Sequence, residues 1–177
     1  TLIGHLAGDA ITTVSFITAV GEKALSANTS GQKNTAIGRA ALQSITSQDN
    51  NTAVGYNTLS GGSNTGGNNT AIGSDALSGN TTGDNNVALG YNALALNTTA
   101  SSNVAIGRGA LDATTTGGFN VAVGDMSLSA NTTASNNTAI GTSALLANTT
   151  GDYNTAIGQV SLTTNTTGRF NVASGVD

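Results

Sequence analysis

A 17-residue repeat is the feature that most limits how this chain can fold. A Gly recurs eleven times, and nine of the ten intervals are 17 residues while one is 18. Each unit reads Asn-[Thr/Val]-Ala-[Ile/Val/Leu]-Gly, followed by Leu four residues after the Gly and then by a polar turn such as Asn80-Thr81-Thr82-Gly83. The repeat runs through the whole sequence, so we predict a single repeat domain over residues 1–177, with a divergent first coil over residues 1–16.

The length of the period selects the fold. Repeats of paired helices need about 33 residues and leucine-rich repeats about 20–29. The chain also contains 29 Thr, 24 Gly and 22 Asn residues, which are poor helix formers. Seventeen residues suit one coil with two short strands and two turns. We therefore predict an all-β fold, a parallel β-solenoid (β-roll or β-helix) of ten 17-residue coils that stack about 4.8 Å apart. A local helix over residues 38–42 is the alternative.

Composition excludes several classes of protein. The net charge is −4 with only five Lys and Arg residues, which argues against nucleic-acid binding. No apolar run approaches the roughly 18 residues of a membrane span, so we expect no membrane insertion. The chain has no Cys, which excludes disulfides and thiolate metal sites. It begins with Thr and shows no signal peptide, so we expect a processed product or part of a longer protein.

The strand segment predicts which side chains meet a neighbouring chain. In Thr35-Ala36-Ile37 the side chains alternate between two faces, and the Ala position is Ala in ten successive coils. Because neither face carries charge, both look buried. We expect the equivalents of Ile37 and Leu42 to fill the coil interior and the Ala row to form an interchain contact; alternatively, Ala simply fits a narrow interior. The predicted contact residues are Ala36, Ala53, Ala71, Ala88, Ala105, Ala122, Ala139 and Ala156.

Two Asn columns follow from the same alignment. The first should form a ladder of hydrogen-bonded amides that fixes the register between coils, with ligand binding by these amides as the alternative. Its members are Asn34, Asn51, Asn69, Asn86, Asn103, Asn120, Asn137, Asn154 and Asn171. The second column is interrupted by Ile45 and Thr114; its Asn members are Asn28, Asn80, Asn97, Asn131, Asn148 and Asn165. Gly at each coil corner should supply positive φ, and a bulge near residues 60–62 should absorb the one extra residue.

Most charged residues lie just after each Gly or in the second turn, and we expect them to face solvent. Four aromatic residues share the slot before the first Asn column: Phe16, Phe119, Tyr153 and Phe170. They could form a strip that stacks on glycans, but the sequence favours a cover for a seam or interface, since other coils carry Asn or Ser in this slot.

Residues that carry chemistry are nearly absent from the pattern. The single His, His5, has no partner in a nucleophile motif. Asp84 and Asp152 share a slot but lie four coils apart, farther than the roughly 5–9.5 Å of paired catalytic carboxylates. The segment 37–42 fits the hexapeptide pattern of β-helix acyltransferases, but only once per coil. We therefore predict no catalytic residue, cofactor or metal site. Triplets such as Asn28-Thr29-Ser30 match a glycosylation pattern that Asn-Thr-rich turns produce automatically.

The unit NTAIGxxAL…NTTG resembles the repeats of bacteriophage tail fibres and related virion proteins, and the resemblance covers essentially residues 1–177. Many of those proteins end in a self-cleaving chaperone, which this sequence lacks. The x-A-[I/V]-G core is also similar to the head repeats of trimeric autotransporter adhesins, which are shorter and form left-handed parallel β-rolls. The resemblance implies a left-handed homotrimer on a virion surface or in another extracellular location. It also implies a cell-surface glycan or other host receptor as a partner.

Two other functions remain open from the sequence. One is a bacterial extracellular adhesin or filament built from a similar coil. The other is an ice-binding solenoid, for which a regular column of Thr hydroxyls would provide the surface. That column consists of Thr12, Thr29, Thr46, Thr81, Thr98, Thr115, Thr132, Thr149 and Thr166.

Overall fold

A computed structural model describes residues 1–62 and 65–176 and shows one parallel sheet. The eleven strands pair in chain order, and equivalent residues face each other, as in Ala36 opposite Ala53. An all-β solenoid of about ten coils is therefore confirmed. The strands are β1 Leu2–Ile3, β2 Thr18–Val20, β3 Thr35–Ile37, β4 Thr52–Val54, β5 Thr70–Ile72, β6 Val87–Leu89, β7 Val104–Ile106, β8 Val121–Val123, β9 Thr138–Ile140, β10 Thr155–Ile157 and β11 Val172–Ser174.

Each coil has one strand rather than the two expected from the sequence. The segment around the Leu column forms turns, and the expected second strand is absent from the described residues. The local helix is not formed over residues 38–42 either. The reason lies in the backbone of the Leu residues, whose φ values are 48–55° from Leu25 to Leu162. This left-handed conformation is incompatible with both a strand and a right-handed helix.

Burial explains why Leu occupies such an unfavourable conformation in every coil. A left-handed backbone costs a non-Gly residue about 1–2 kcal/mol. The side chains from Leu25 to Leu145 in this column are fully buried, and burying a Leu side chain contributes about 1.5–3 kcal/mol. The turn therefore points Leu into the coil at a cost that its own burial offsets.

The apolar part of the coil interior is narrow and contains one large and two small side chains in most coils. The equivalents of Ala36, Ala41 and Leu42 form a single continuous core cluster. From Ala19 to Ala156, every Ala at the centre of a strand has no exposed surface. The Ala face of the strand therefore points into the coil, and the faces are the reverse of those expected from the sequence.

The corner Gly column has the positive φ that the sequence predicts. The φ values lie between 125° and 140° from Gly4 to Gly175. Close stacking adds a second constraint, since a Cβ on Gly38 would lie 2.2 Å from the carbonyl oxygen of Gly55. A side chain is therefore excluded here by both backbone conformation and the next coil.

The extra residue of the long interval leaves the sheet intact. Thr52 pairs with Thr70 in the same register as the other strands. Leu59 corresponds to Leu77, which is 18 residues later. After the insertion the usual spacing returns: the N–H of Thr65 bonds to the carbonyl of Thr81, just as the N–H of Thr82 bonds to that of Thr98. The insertion thus lies between residues 59 and 65, a segment that includes the predicted positions and also residues 63 and 64, which lie outside the described residues.

Candidate functional site

The structure joins the nine residues of the predicted Asn ladder into one hydrogen-bonded column. The backbone N–H of each Asn donates to the Oδ1 of the equivalent Asn in the preceding coil, with N···O distances of 2.8–3.0 Å from Asn51 to Asn171. The Nδ2 of Asn103 donates to the carbonyl of Gly117, and the same bond recurs in other coils. From Asn34 to Asn154 the residues are at most 1% exposed. These amides link coils and are not accessible to a ligand.

The second Asn column closes turns within a coil and, where two Asn residues stack, also links coils, as in the bond from Asn97 Nδ2 to Asn80 Oδ1. Asn28 and Gly31 exchange two hydrogen bonds, from Nδ2 to the carbonyl and from the Gly N–H to Oδ1. In two coils Ala100 and Ala134 replace this Gly, and the Oδ1 atoms of Asn97 and Asn131 have no hydrogen-bond partner. The interrupting residues Ile45 and Thr114 are fully buried, so this column accepts apolar and hydroxyl side chains as well.

The outward side chains of β2–β10 form an uncharged surface, here called the strand face. It has two rows. The first is Thr18, Thr35, Thr52, Thr70, Val87, Val104, Val121, Thr138 and Thr155; the second is Val20, Ile37, Val54, Ile72, Leu89, Ile106, Val123, Ile140 and Ile157. The Ile residues of the second row are 36–43% exposed. The predicted interchain contact through Ala36 and its equivalents is therefore not available, because these buried side chains lie behind the strand face.

The Thr column considered for ice binding uses its hydroxyls within the protein. Thr29 donates to the carbonyl of Thr46, and Thr81 to Thr98, with O···O distances of 3.1 and 2.8 Å, and the bond recurs in later coils. The next column, here called the outer hydroxyl row, is exposed in every coil. Its members are Thr13, Ser30, Ser47, Thr65, Thr82, Thr99, Thr116, Thr133, Thr150 and Thr167.

The aromatic slot is exposed and does not form a continuous strip. Phe16, Phe119, Tyr153 and Phe170 are 78%, 66%, 49% and 69% exposed. Tyr153 and Phe170 stack with ring centroids 5.1 Å apart and planes at 6°, and Arg169 lies near both rings. One face of each ring in this pair is therefore covered by the other ring.

The slot after the corner Gly carries charges that vary from coil to coil. Glu22 pairs with Arg39 at 3.2 Å, and Arg108 pairs with Asp125 at 2.9 Å. Arg39 also lies 5.5 Å from the ring centre of Tyr56. All four charged side chains are 42–62% exposed, and exposed pairs of this kind contribute about 0–1 kcal/mol. These residues form the variable outer surface that the sequence predicts.

The carboxylates in the second turn have a structural role. Asp84 accepts a hydrogen bond from the N–H of Gly67, and Asp152 accepts one from Ser135, each in the preceding coil. Burial raises the pKa of the Asp112 carboxyl, partly opposed by the N–H of Ala113. One such acid is not the carboxylate pair that glycoside hydrolysis needs. Among the described residues, no group of three or more His, Cys, Asp or Glu side chains could hold a metal ion.

The N-x-[S/T] triplets of the second turn place their Asn inside the coil. Asn28, Asn80, Asn97, Asn131 and Asn148 have no exposed surface. A glycosyltransferase therefore cannot reach these amides in the folded chain, and the triplets follow from the turn structure.

No protein-family model matches the chain, and neither a curated protein nor a solved structure is significantly similar to it. In the part of the chain that the structure describes, no helix is long and apolar enough to cross a membrane. Functional conclusions therefore depend on the surface of the solenoid itself.

Sequence reasoning missed two surfaces, the strand face and the outer hydroxyl row. A volume argument could have located the first, because one narrow coil has no room for both a Leu and an Ile row. A count could have located the second, because all ten coils carry Ser or Thr there, while the slot after the corner Gly ranges from His5 and Glu22 to Tyr56.

Proposed function

We propose that this chain is a structural segment of a virus attachment fibre, such as a phage tail fibre, in which three copies form a rigid rod that displays a variable surface to the host cell. The observation that carries the proposal is the in-register stack of eleven strands, whose coils are joined around their whole perimeter. The repeat resemblance supports the same conclusion. The rod belongs on the virion surface or in another extracellular location.

Stiffness is the property on which this function depends. Between coils, the strands, the turn backbone, the Asn amides and the Thr hydroxyls all form hydrogen bonds along the rod axis. Some donate to the next coil, as Thr35 does to Asn51, and others to the preceding coil, as Gly38 does to Val20. Bending the rod would stretch several of these bonds at once. Side chains that differ between coils, such as Tyr56 and Tyr91, are exposed and can contact a glycan or another host receptor.

The test is where the protein is found and what it contacts. Antibodies raised against the purified protein are applied to cultures that produce it, and gold labels are located by electron microscopy. Labelling of virion fibres supports the proposal, labelling of bacterial envelopes supports the bacterial adhesin instead, and labelling of neither contradicts both. Binding of labelled protein to host cells should fall when Tyr56 and Tyr91 are replaced by Ser.

The outer hydroxyl row supports ice binding as a second candidate function. Ten exposed hydroxyls repeat about every 4.8 Å along one edge of the rod, a spacing set by the stacked strands. Thermal hysteresis measures this directly. Activity should disappear in Thr116→Lys/Thr133→Lys and persist in the control Tyr91→Lys, while absence of hysteresis in the wild type contradicts this candidate.

A further inference from the structure

We infer that the strand face is the surface through which copies of this chain contact one another, side by side and with their axes parallel. This inference rests on the proposed fibre and replaces the Ala row as the interchain contact. The first evidence is that the aliphatic row is not needed by the single coil. Ala36 and Leu42 already fill the interior, while Ile37 on the other side of the strand is 40% exposed.

Constancy on an exposed surface is the second line of evidence. The second row is Ile, Val or Leu in all nine coils from β2 to β10. Two residues further along the chain, the slot after the corner Gly holds acidic, basic, aromatic and hydroxyl side chains in the same coils. Copying of the repeat unit therefore does not explain why the row stays aliphatic. An uncharged core beside a polar rim is the usual anatomy of a protein interface.

Shape favours another copy of this chain as the occupant. The aliphatic row is a straight line of partly exposed side chains along nine coils. A partner that follows this surface over nine coils must have the same rise per coil, and a second copy has it by construction. When the axes are parallel, the aliphatic rows of three chains can meet around one threefold axis, which places equivalent residues of the chains at the same height.

The strand face provides about half of the area that a standard interface buries on each partner. Nine rows at about 4.8 Å and a strand about 10 Å wide give roughly 430 Å² per chain. The flanking slots add exposed aromatic and paired charged side chains, including Phe119, Tyr153 and Arg108. A standard interface buries roughly 800 Å² per partner, so these flanking side chains must supply the remaining area. Tyr and Arg are also enriched among the residues that contribute most to binding at interfaces.

The first experiment measures mass in solution by light scattering. The wild type should have three times the chain mass of 17.2 kDa, and Ile106→Glu/Ile140→Glu should have the mass of one chain. The matched control Thr116→Glu/Thr150→Glu, on the outer hydroxyl row, should keep the wild-type mass. Because Glu could impair folding, Ile106→Thr/Ile140→Thr is measured with it; these positions are already 36% and 40% exposed, so the circular dichroism should be unchanged while the assembly weakens at least tenfold.

The second experiment uses the absence of Cys in this chain. Single variants Val20→Cys, Leu89→Cys and Ile157→Cys, oxidised separately, should each form disulfide-linked pairs if chains are parallel and in register. The control Thr116→Cys should not. Linkage at Leu89→Cys alone indicates antiparallel chains and overturns the inference, as does a monomeric wild type or a Glu variant that stays assembled. None of these results depends on where the fibre is found, so loss of the virion assignment leaves the contact intact, and the reverse also holds.

Discussion

The two Asn columns use the same side chain in different ways, although second-column amides such as Asn97 also bond to the preceding coil. In the first, Asn103 accepts from the N–H of Asn120 in the next coil, so its amide holds two coils together. In the second, Asn28 bonds to Gly31 three residues away, so its amide holds one turn together. The first column is Asn in nine successive coils, whereas the second contains Ile45 and Thr114. The column whose side chains accept from the backbone N–H of the next coil is therefore the more restricted of the two.

The reason is which groups lose a partner when Asn is replaced. In the first column a substitution leaves buried backbone groups of a neighbouring coil unpaired, and that coil cannot move without disturbing the strands. In the second column the neighbouring turn residues are exposed, so the unpaired groups can bond to water. In other coils a second donor already bonds to the same carbonyl, as Asn86 does to that of Ala100. Leaving a buried group unpaired costs about 1–3 kcal/mol, so the two columns should differ by a measurable amount.

The largest effect should come from breaking both columns at once. Deleting residues 86–93 places turn residues beside strand residues, and the chain should fail to fold. Deleting the full unit, residues 86–102, joins Asn85 to Asn103 and keeps both columns in register, so the protein should fold into a rod about 4.8 Å shorter. Circular dichroism and thermal melting compare the two variants. Equal behaviour would show that the 17-residue coil is not the structural unit.

A single substitution in the first column should have the next largest effect. Asn103→Leu removes the acceptor for the Asn120 N–H and the donor to the Gly117 carbonyl. Two buried groups lose their partners, and the free energy of unfolding should fall by about 3 kcal/mol. Urea denaturation measures this. A loss below about 1 kcal/mol would mean that the ladder is not what couples the coils.

An intermediate effect is expected where the second column still closes its turn. Asn28→Leu removes both bonds to Gly31. The neighbouring Thr29 and Ser30 are exposed, so the turn can open to water, and the loss should be about 1–2 kcal/mol. The same urea titration applies, and a loss as large as that of Asn103→Leu would remove the distinction between the columns.

The smallest effect is expected at a residue whose oxygen is already unpaired. Asn97→Leu removes the unpartnered Oδ1, while the Ala100 carbonyl keeps its bond from Asn86 and the Asn80 Oδ1 keeps its bond from Gly83. No other buried group loses its last hydrogen-bond partner, so the free energy of unfolding should stay within about 1 kcal/mol of the wild type or rise. Ile45 provides a natural precedent. A loss of several kcal/mol would contradict this account of the second column.

The sequence was sufficient for the solenoid and its register because these depend on spacing alone. The corner Gly positions and the Asn ladder follow from the same period. The direction of the strand faces did not follow, since alternation separates Ala36 from Ile37 without showing which one points inward. That choice depends on Leu42, whose left-handed backbone sends its side chain into the coil and leaves room only for Ala opposite. A positive φ at Leu is too rare for sequence reasoning to anticipate.

The inter-coil hydrogen bonds lie along the rod axis, and this determines how the rod responds to a pulling force. Tension applied to the two ends of the polypeptide loads the last coil first, because each coil is bonded only to its neighbours. That coil peels away by losing its strand, amide and hydroxyl bonds in turn, and the next one then meets the same load. Each step releases 17 residues, or about 55 Å of extended chain. Stretched in this way, the solenoid would lengthen in nearly equal steps and dissipate mechanical energy at each one.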